Sequence, residues 1–436
     1  MRGAALVAAL ASLSLTACPG PKGPRAARVS PLTVPIGRDG ASLRSIAADA
    51  GVSFAALVST AEPRTTVEAY AGISRAWSSQ LTGTGGPMAV HASTVAISLS
   101  GQGDLGAASS ATRVTGEPGA LVVGLDAKTG APSWRLPIET NEWVVVAAMA
   151  ATDDGFVLGG SFSGSLRISD RVVTAGAKSD GFVAKLTAAG ELAWLVRMGG
   201  PGADAIQGVA TRGPRIAIAG TFAAGADLLG TPLPAFDEKS PFADALVAEL
   251  TPSGTAAWSK SFGGRQAETV AGVAIDAHGS VVIAASARDT VHVGGVDLVA
   301  RGPADGLLAW WNPDGSPGHA ILVGGTDFDG IRSIIATSDR VVVGGFYSGT
   351  IDLGDAQLTA GGGDGAFIAT LDRRGTVVDA FDIEGAGREE IIALAAIPDG
   401  FVAGVAHTAA ASITGDALPA PRDPLAGAAL IVRGVR

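Results

Sequence analysis

Five acidic residues recur at one position of a repeating pattern and are the first candidates for chemistry in this chain. Each stands two residues before an apolar run that begins a repeat; the five are Glu142, Asp204, Glu268, Asp329 and Glu389. If those runs are strands around a common axis, the carboxylates lie on one rim of a central channel. There they can accept backbone N–H bonds from adjacent loops, the interpretation we favour, or attract a cation to the channel mouth. Calcium is the cation considered for such a ring, because it binds carboxylate oxygens.

A second set of acids opens a different apolar run of each repeat. Its members are Asp180, Asp244, Asp305 and Asp364, which are 64, 61 and 59 residues apart by subtraction. Aspartate commonly closes a turn by accepting a hydrogen bond from its own backbone two residues on. We therefore assign this second set to the architecture. The two N-terminal repeats depart from the first pattern, with Ala41 and Gly86 near that position.

Other residue types that could support catalysis or cofactor binding are scattered. The five histidines are His91, His278, His292, His319 and His407, and they fall in different repeats without metal-ligand spacing. No Gly-x-Ser-x-Gly motif marks a nucleophile. The chain has only two asparagines, Asn141 and Asn312, whereas a quinone site needs clustered basic and amide side chains. The sequence therefore predicts no catalytic residues and no cofactor beyond the calcium considered above.

Two glycine-rich motifs are interpreted as turns. Residues 101–106 fit the Gly-x-Gly-x-x-Gly pattern, but no helix follows them as a dinucleotide site requires. Residues 325–330 contain the Asp-x-Asp-Gly fragment of a calcium loop, but they lack the glutamate that completes such a loop.

The elements that must position these residues are short strands. Each repeat contains four apolar runs, which in one repeat are Ile206–Ala210, Arg215–Thr221, Asp244–Leu250 and Ala256–Phe262. Runs of this length, rich in Val, Ile and Ala and bounded by turn formers, are typical of strands. Repeats of four antiparallel strands predict an all-β fold, the β-propeller.

The third strand of each repeat is the easiest to count, and it predicts seven blades. It occurs at Glu68–Ile73, Ala120–Leu125, Gly181–Leu186, Ala245–Leu250, Gly306–Trp311, Gly365–Leu371 and Ala426–Val432. The sequence ends directly after the last of these, while residues 32–37 have the pattern of a fourth strand. We therefore expect the N-terminal strand to complete the last blade and close the ring, which hides two sheet edges. Pro35 suits an outermost strand, where an N–H is not needed.

The repeat resembles the bacterial SBBP repeat, a seven-bladed β-propeller repeat. The matching features are the Asp-Gly-Phe-Val-Ala-Lys-Leu strand at Asp180, Trp194, the pair Gly199-Gly200, and the Gly-Thr-x-Asp-Leu-Gly turn at residues 349–354. The likeness covers residues 140–432 well and residues 32–138 weakly. Residues 125–134 also resemble the repeat of quinoprotein-like propellers, whose tryptophan packs between neighbouring blades. The SBBP family is defined by shape, so the resemblance implies a fold and no common activity.

The N-terminus is identified as a lipoprotein signal. Residues 1–17 have Arg2 followed by an Ala/Leu-rich core, and residues 15–18, Leu-Thr-Ala-Cys, resemble a bacterial lipobox. By that resemblance Cys18, the single cysteine of the chain, receives a diacylglycerol thioether and a palmitate-type acyl chain. Residues 18–31 form a Pro/Gly-rich tether, and residues 32–436 form the propeller. Pro19 rather than Asp after the cysteine favours the outer membrane of the cell envelope.

These observations predict a non-enzymatic, lipid-anchored, monomeric binding or scaffold module for protein or glycan partners. The formal net charge of −10 argues against nucleic acid as a partner. The candidate contact loop is Gly230–Ala243, with Phe236 and Phe242. Two alternatives stay open. One is a propeller enzyme, a polysaccharide hydrolase or lyase, and the other is an envelope-assembly lipoprotein similar to the quinoprotein-like ones.

Overall fold

The computed structural model describes residues 32–36, 41–49, 52–59, 62–71, 74–100, 119–354, 356–398, 400–413, 416–418 and 427–434. The predicted signal peptide, Cys18, the tether and the glycine-rich turn at residues 101–106 lie outside the described residues. Within these residues every regular element is a β-strand, and none is a helix long and apolar enough to cross a membrane.

The strands fall into repeating units that follow the chain order. Strand β1 (Leu32–Ile36) comes before the first unit, which contains β2 (Ala41–Asp49), β3 (Val52–Ser59), β4 (Arg64–Ala71) and β5 (Ser74–Thr82). The second unit contains β6 (Thr84–His91), β7 (Thr94–Ser100), β8 (Ala120–Asp126) and β9 (Pro132–Thr140). The third contains β10 (Trp143–Thr152), β11 (Gly155–Ile168), β12 (Arg171–Thr187) and β13 (Leu192–Gly199).

The next three units carry two additional short strands each. The fourth contains β14 (Ala205–Arg212), β15 (Arg215–Phe222), β16 (Asp227–Leu228), β17 (Thr231–Pro232), β18 (Asp244–Leu250) and β19 (Ala256–Gly264). The fifth contains β20 (Thr269–Ile275), β21 (Val281–Ala287), β22 (Thr290–Val293), β23 (Val296–Val299), β24 (Asp305–Trp311) and β25 (Pro317–Gly325). The sixth contains β26 (Gly330–Ala336), β27 (Val341–Tyr347), β28 (Thr350–Asp352), β29 (Gln357–Thr359), β30 (Gly365–Leu371) and β31 (Val377–Gly385).

The last unit is assembled from both ends of the described chain. It contains β32 (Glu389–Ile397), β33 (Gly400–His407), β34 (Ala411–Ile413), β35 (Asp416–Leu418) and β36 (Gly427–Gly434). Its sheet runs in the order β32-β33-β36-β1. Strand β1 pairs antiparallel with β36, and the register places Leu32 opposite Val432 and Ile36 opposite Ala428. The N-terminal strand therefore forms the outer edge of this sheet, beside β36.

The first strands of the units contact one another in a cyclic order. Strand β2 contacts β6, and the contacts continue through β10, β14, β20, β26 and β32, which again contacts β2. The other long strands of each unit follow outward as an antiparallel meander, as in β14-β15-β18-β19. The third strands are buried on both faces; every residue of β18 and of β30 is buried. This two-sided burial explains their continuous apolar sequence.

The prediction of four-stranded blades is incomplete, because the connection between the second and third strands often forms a hairpin. That hairpin pairs with the fourth strand of the preceding unit: β16–β17 on β13, β22–β23 on β19, β28–β29 on β25 and β34–β35 on β31. The adjoining ends of β11 and β12 extend to β9 in the same way. The SBBP-like turn at residues 349–354 lies in such a hairpin, where Ile351 and Leu353 are buried. These aliphatic residues drive the pairing, since they are covered only when the hairpin packs on its neighbour.

A large ring from the fourth strand of one unit contacts a turn glycine of the next. Trp134 packs in this way on Gly190, where an added Cβ would stand 2.3 Å from the indole. The same contact joins Trp77 to Gly130, Trp194 to Gly254, Trp258 to Gly315 and His319 to Gly375. These glycines have φ between +73° and +83°, so both the backbone conformation and the ring require a residue without a side chain. The tryptophans thus pack between units, as the quinoprotein-like resemblance implies.

Candidate functional site

Four of the five predicted acids lie at the entrance of a first strand and are buried. The exposed fraction is 1% for Asp204, 2% for Glu268, 1% for Asp329 and 0% for Glu389. They lie between units and are not among the residues that line the central cavity described below. Groups of three or more side chains suited to hold a metal ion do not occur among the described residues. The calcium ring stays a prediction.

The two sets of acids that the sequence presents separately come together as pairs. Each first-strand acid lies against the third-strand aspartate of the preceding unit, giving the pairs Asp180/Asp204, Asp244/Glu268, Asp305/Asp329 and Asp364/Glu389. The backbone geometry at these pairs repeats. The N–H of Asp204 donates to Ser179 O at 2.8 Å, and the N–H of Asp329 donates to Ala304 O at 3.0 Å. We call these four arrangements the acid pairs.

The acid pairs explain the glycine pairs at the ends of three of the fourth strands, which are Gly199-Gly200, Gly263-Gly264 and Gly324-Gly325. A Cβ on Gly199 would stand 2.4 Å from Cγ of Asp180, so the first glycine makes room for the third-strand aspartate. The second glycine, Gly200, donates its N–H to Asp204 Oδ2 at 2.9 Å, and Ala223 N–H donates to Oδ1 at 2.8 Å. Such charge-assisted hydrogen bonds from the loop backbone to a carboxylate stabilise the contact between adjacent units.

The acid pairs differ in how well their charge is compensated. Asp180 has an ion pair with Arg197, and Asp364 has one with Arg388 at 3.7 Å. Asp244 accepts the Phe236 N–H at 2.6 Å. Neither carboxylate oxygen of Glu268 has a hydrogen-bond partner among the described residues, and the same holds for Glu389.

Burial is the main cause of raised pKa values in this group. It raises the pKa of Asp204 and of Asp329 to about 6, that of Glu389 to about 7 and that of Glu268 to about 8. The neighbouring aspartate of each pair raises the pKa further, because two like charges in one buried site repel. At Asp204 and at Asp329 two backbone N–H donors oppose this rise.

Glu142 does not belong with the other four acids. Asp204 and Glu268 stand three residues before the irregular residue of their strands, Gln207 and Ala271, whereas Glu142 stands five before Ala147. Its side chain is exposed, and the Ser163 hydroxyl donates to its Oε2. Aligning the repeats on the first apolar residue placed Glu142 two positions out of register, because the irregularity is not visible in the sequence.

A cavity of about 390 Å³ lies where the first strands meet, and residues from all seven of them line it. We call it the axial cavity. Each first strand has a register shift, or β-bulge, at one equivalent position. The residues left without a cross-strand partner are Arg44, Gly86 with Pro87, Ala147, Gln207, Ala271, Arg332 and Ile392. A bulge re-aims the side chain of its strand, and all of these residues except Arg332 and Ile392 line the cavity.

The polar residues of this cavity were missed at the sequence level. Its lining is formed mostly by Gly, Ala, Val and Met, with Arg44, Ser45, Gln207 and Ser333 as its polar side chains. A signal did exist, because Leu43-Arg44 and Ile331-Arg332 interrupt first strands with a charged residue. Without the bulge, however, the alternation of side chains along a strand places Arg44 on a face of the sheet and not towards the axis.

The histidines serve separate contacts. His319 stacks on Trp310 with 4.2 Å between ring centroids, and burial lowers its pKa. His292 Nδ1 lies 2.7 Å from Asp297 Oδ1, and His407 Nδ1 lies 2.9 Å from the carbonyl oxygen of Ala409. His91 packs edge-on against Phe156.

The predicted contact loop, Gly230–Ala243, is held at its base and exposed at its aromatic residues. Strand β17 pairs with β16 at its start, and the Phe236 N–H is bound by the buried Asp244. The exposed fractions are 48% for Phe236 and 42% for Phe242. The ring of Phe236 lies 6.3 Å from that of His292 in the next unit.

The sequence matches no family model and no curated protein. Hydrazine synthase of Kuenenia stuttgartiensis is similar in structure over 84% of this chain and 94% of that chain, with a TM-score of 0.50 and 8% identity. The Dos1 propeller covers 92% of this chain and 95% of its own, with a TM-score of 0.45 and 8% identity. Quinohemoprotein alcohol dehydrogenase of Comamonas testosteroni covers 91% of this chain and 75% of its own, with a TM-score of 0.41 and 10% identity. At these identities the likeness concerns the fold alone.

The chain is thus an all-β protein of antiparallel sheets whose first strands contact one another in a cyclic order.

Proposed function

We propose that the chain forms a closed seven-bladed propeller whose last blade joins both ends. The cyclic contacts of the first strands and the pairing of β1 with β36 support this proposal. Cysteines at one of two adjacent pairs test it: Thr33→Cys with Ile431→Cys, or Val34→Cys with Leu430→Cys, in a Cys18→Ser background. Adjacent pairs alternate between wide and close spacing, so one of the two should form a disulfide on oxidation. Failure of both pairs to cross-link would contradict the closure.

We further propose that this propeller is an SBBP-type lipoprotein, anchored in the cell envelope through Cys18, which is the single cysteine of the sequence. Two or more lipid chains give stable membrane attachment. Replacing Cys18 by Ser should move the protein from the membrane fraction to the soluble fraction and abolish labelling with a palmitate analogue. Persistence of the protein in the membrane fraction would speak against the anchor.

The function we propose is that of a non-enzymatic binding or scaffold module for protein or glycan partners. The observation that carries it is the contact loop, which presents Phe236 and Phe242 to solvent while its base is fixed by β16, β17 and Asp244. A loop that is already ordered loses little conformational entropy on binding, and aromatic side chains supply large contact area.

A comparison of two variants tests this role in cells. Phe236→Ser with Phe242→Ser should abolish a cross-linked partner, or sedimentation with cell-wall polysaccharide. The control Val172→Ser with Val378→Ser alters comparably exposed residues of two other units and should not. Binding that both variants retain would remove the loop from the proposal. Turnover of a polysaccharide by the purified protein would favour the enzyme instead.

A further inference from the structure

We propose that the axial cavity binds a small hydroxylated oxyanion, a sugar acid or a sugar phosphate. This site is separate from the proposed contact loop, because the loop contributes no residue to the cavity lining. The volume of about 390 Å³ lies in the range of roughly 300–1,000 Å³ that small-molecule sites occupy.

The charge of the cavity is the first argument. Arg44 is the one charged side chain among the described residues that line it. A guanidinium offers a planar fork of N–H donors that matches a carboxylate or phosphate. Four of the five acids that the sequence suggested for the channel mouth are buried between units, and Glu142 does not line the cavity either, so the charge at the axis is positive rather than negative.

A comparison of the two bulged arginines shows that Arg44 is available. Arg332 donates from Nε to Glu390 and lies 4.7 Å from the centre of the Phe346 ring. Arg44 is exposed and has no carboxylate within ion-pair distance among the described residues. Both occupy the same position of their strands, but only the charge of Arg332 is neutralised by a neighbour.

Gln207 supplies the second contact. Its Oε1 is buried and has no hydrogen-bond partner among the described residues, which is costly unless a ligand or water completes it. The amide can bind a hydroxyl group as donor or acceptor. In the cyclic order β14 is three contacts from β2, nearly opposite, so a molecule that reaches both Gln207 and Arg44 must lie on the axis.

The acidic net charge of the chain does not prevent this binding. At physiological salt the Debye length is about 8 Å, so charges distributed around the ring are largely screened at the cavity. A guanidinium in direct contact with the oxyanion is screened much less. The local charge of Arg44 therefore determines whether an anion binds in the axial cavity.

Calorimetric titration of the full-length protein in detergent micelles tests the proposal. We expect D-glucuronate, glucose 6-phosphate or both to bind, and the neutral glucose not to bind. Glucuronate alone identifies a carboxylate ligand, and glucose 6-phosphate alone identifies a phosphate ligand. Absence of binding by both anions, or equal binding of glucose, overturns the proposal.

Three variants localise the site. Arg44→Gln should lower affinity by about tenfold or more, the usual cost of a charge-assisted bond. The control Arg171→Gln removes an exposed arginine of another strand and should leave affinity unchanged. Gln207→Leu should weaken binding while the free protein melts at the same or a higher temperature, because an unpartnered buried oxygen is removed.

Two outcomes would contradict these assignments. Wild-type affinity in Arg44→Gln refutes the site, and wild-type affinity with a lower melting temperature in Gln207→Leu shows that Gln207 has a structural role only. The contact-loop variant, Phe236→Ser with Phe242→Ser, should still bind the anion. Failure of the proposed anion site can then be distinguished from failure of the proposed partner binding.

Discussion

Buried carboxylates without counter-charges are the most consequential single residues of this protein. Glu268 is the extreme case, since both oxygens lack a partner among the described residues and the neighbouring Asp244 is acidic. A buried acid whose pKa is raised holds its proton in the folded state at a pH where the unfolded chain has released it. The folded state then binds more protons than the unfolded state, so stability falls as pH rises through this interval.

Replacing Glu268 by Gln gives a prediction with a defined sign. Between pH 5 and 8 the wild-type free energy of unfolding should decrease as pH rises, because the pKa of Glu268 is raised from 4.5 to about 8. The amide of Glu268→Gln does not ionise, so this decrease should become smaller and the variant should be more stable at pH 8, by on the order of a few kcal/mol. Urea unfolding at several pH values measures the effect.

The matched control is Glu142→Gln, which changes an exposed acid directly before another first strand, β10. It should leave the pH dependence of unfolding as in the wild type. If Glu268→Gln and Glu142→Gln behave alike, the buried acid pair does not govern the dependence.

The residue scale also shows where sequence reasoning succeeds and where it stops. Repetition was enough to find Asp204, Glu268, Asp329 and Glu389, since each carboxylate stands at one position of its unit. Their pairing with the third-strand aspartates was not visible, because it joins residues of neighbouring units in space. The misplacement of Glu142 and the omission of Gln207 have one cause, a bulge that shifts the register without a sequence signature.

At the scale of the elements, units are joined by an aromatic side chain that packs on a turn glycine. Gly190 and Gly230 both have φ of +80°, but a Cβ on Gly190 would meet Trp134 at 2.3 Å, while a Cβ on Gly230 would meet nothing within 4 Å. The two glycines therefore share their backbone strain and differ only in the packing contact.

We predict that Gly190→Ala destabilises the protein more than Gly230→Ala does. The left-handed conformation costs an alanine about 1–2 kcal/mol at either site. Overpacking against Trp134 should add roughly 1–3 kcal/mol at Gly190. Chemical unfolding of both variants measures the difference, and equal midpoints would show that this contact contributes little.

The hairpins that cross between units should also contribute to stability. Ile351 in β28 is fully buried, whereas Val299 in β23 is 61% exposed. Ile351→Ala should cost about 2–5 kcal/mol, because it leaves a cavity in the core, and Val299→Ala should cost little. Thermal unfolding distinguishes them; a neutral Ile351→Ala would mean that the hairpin is not integral to the fold.

The sequence predicts the long strands of each unit but not these hairpins. Strands such as β16 (Asp227–Leu228) and β28 (Thr350–Asp352) are only two or three residues long, and their partners belong to the preceding unit. Apolar periodicity over so few residues does not distinguish a strand from a loop. The long third strands are recognisable because burial on both faces leaves a continuous apolar run.

At the scale of the whole molecule, β1 and β36 join the two ends of the described chain. Deleting residues 32–36 should leave an unpaired edge on β36, which lowers the melting temperature and promotes self-association. The length-matched control deletes Lys22–Ala26 from the predicted tether and should leave both properties unchanged. Size-exclusion chromatography and thermal unfolding measure the two effects. Identical behaviour of the two deletions would contradict the stabilising role of β1.

This pairing also determines when synthesis can yield a finished molecule. Among the described strands, β1 is synthesised first, whereas its partner β36, which contains residues 428–432, is synthesised last. A nascent chain that is released early has no β36, so strand β1 stays without its partner. Truncated products therefore carry a persistent open edge, by which the proteases and chaperones of their compartment can tell them from complete ones.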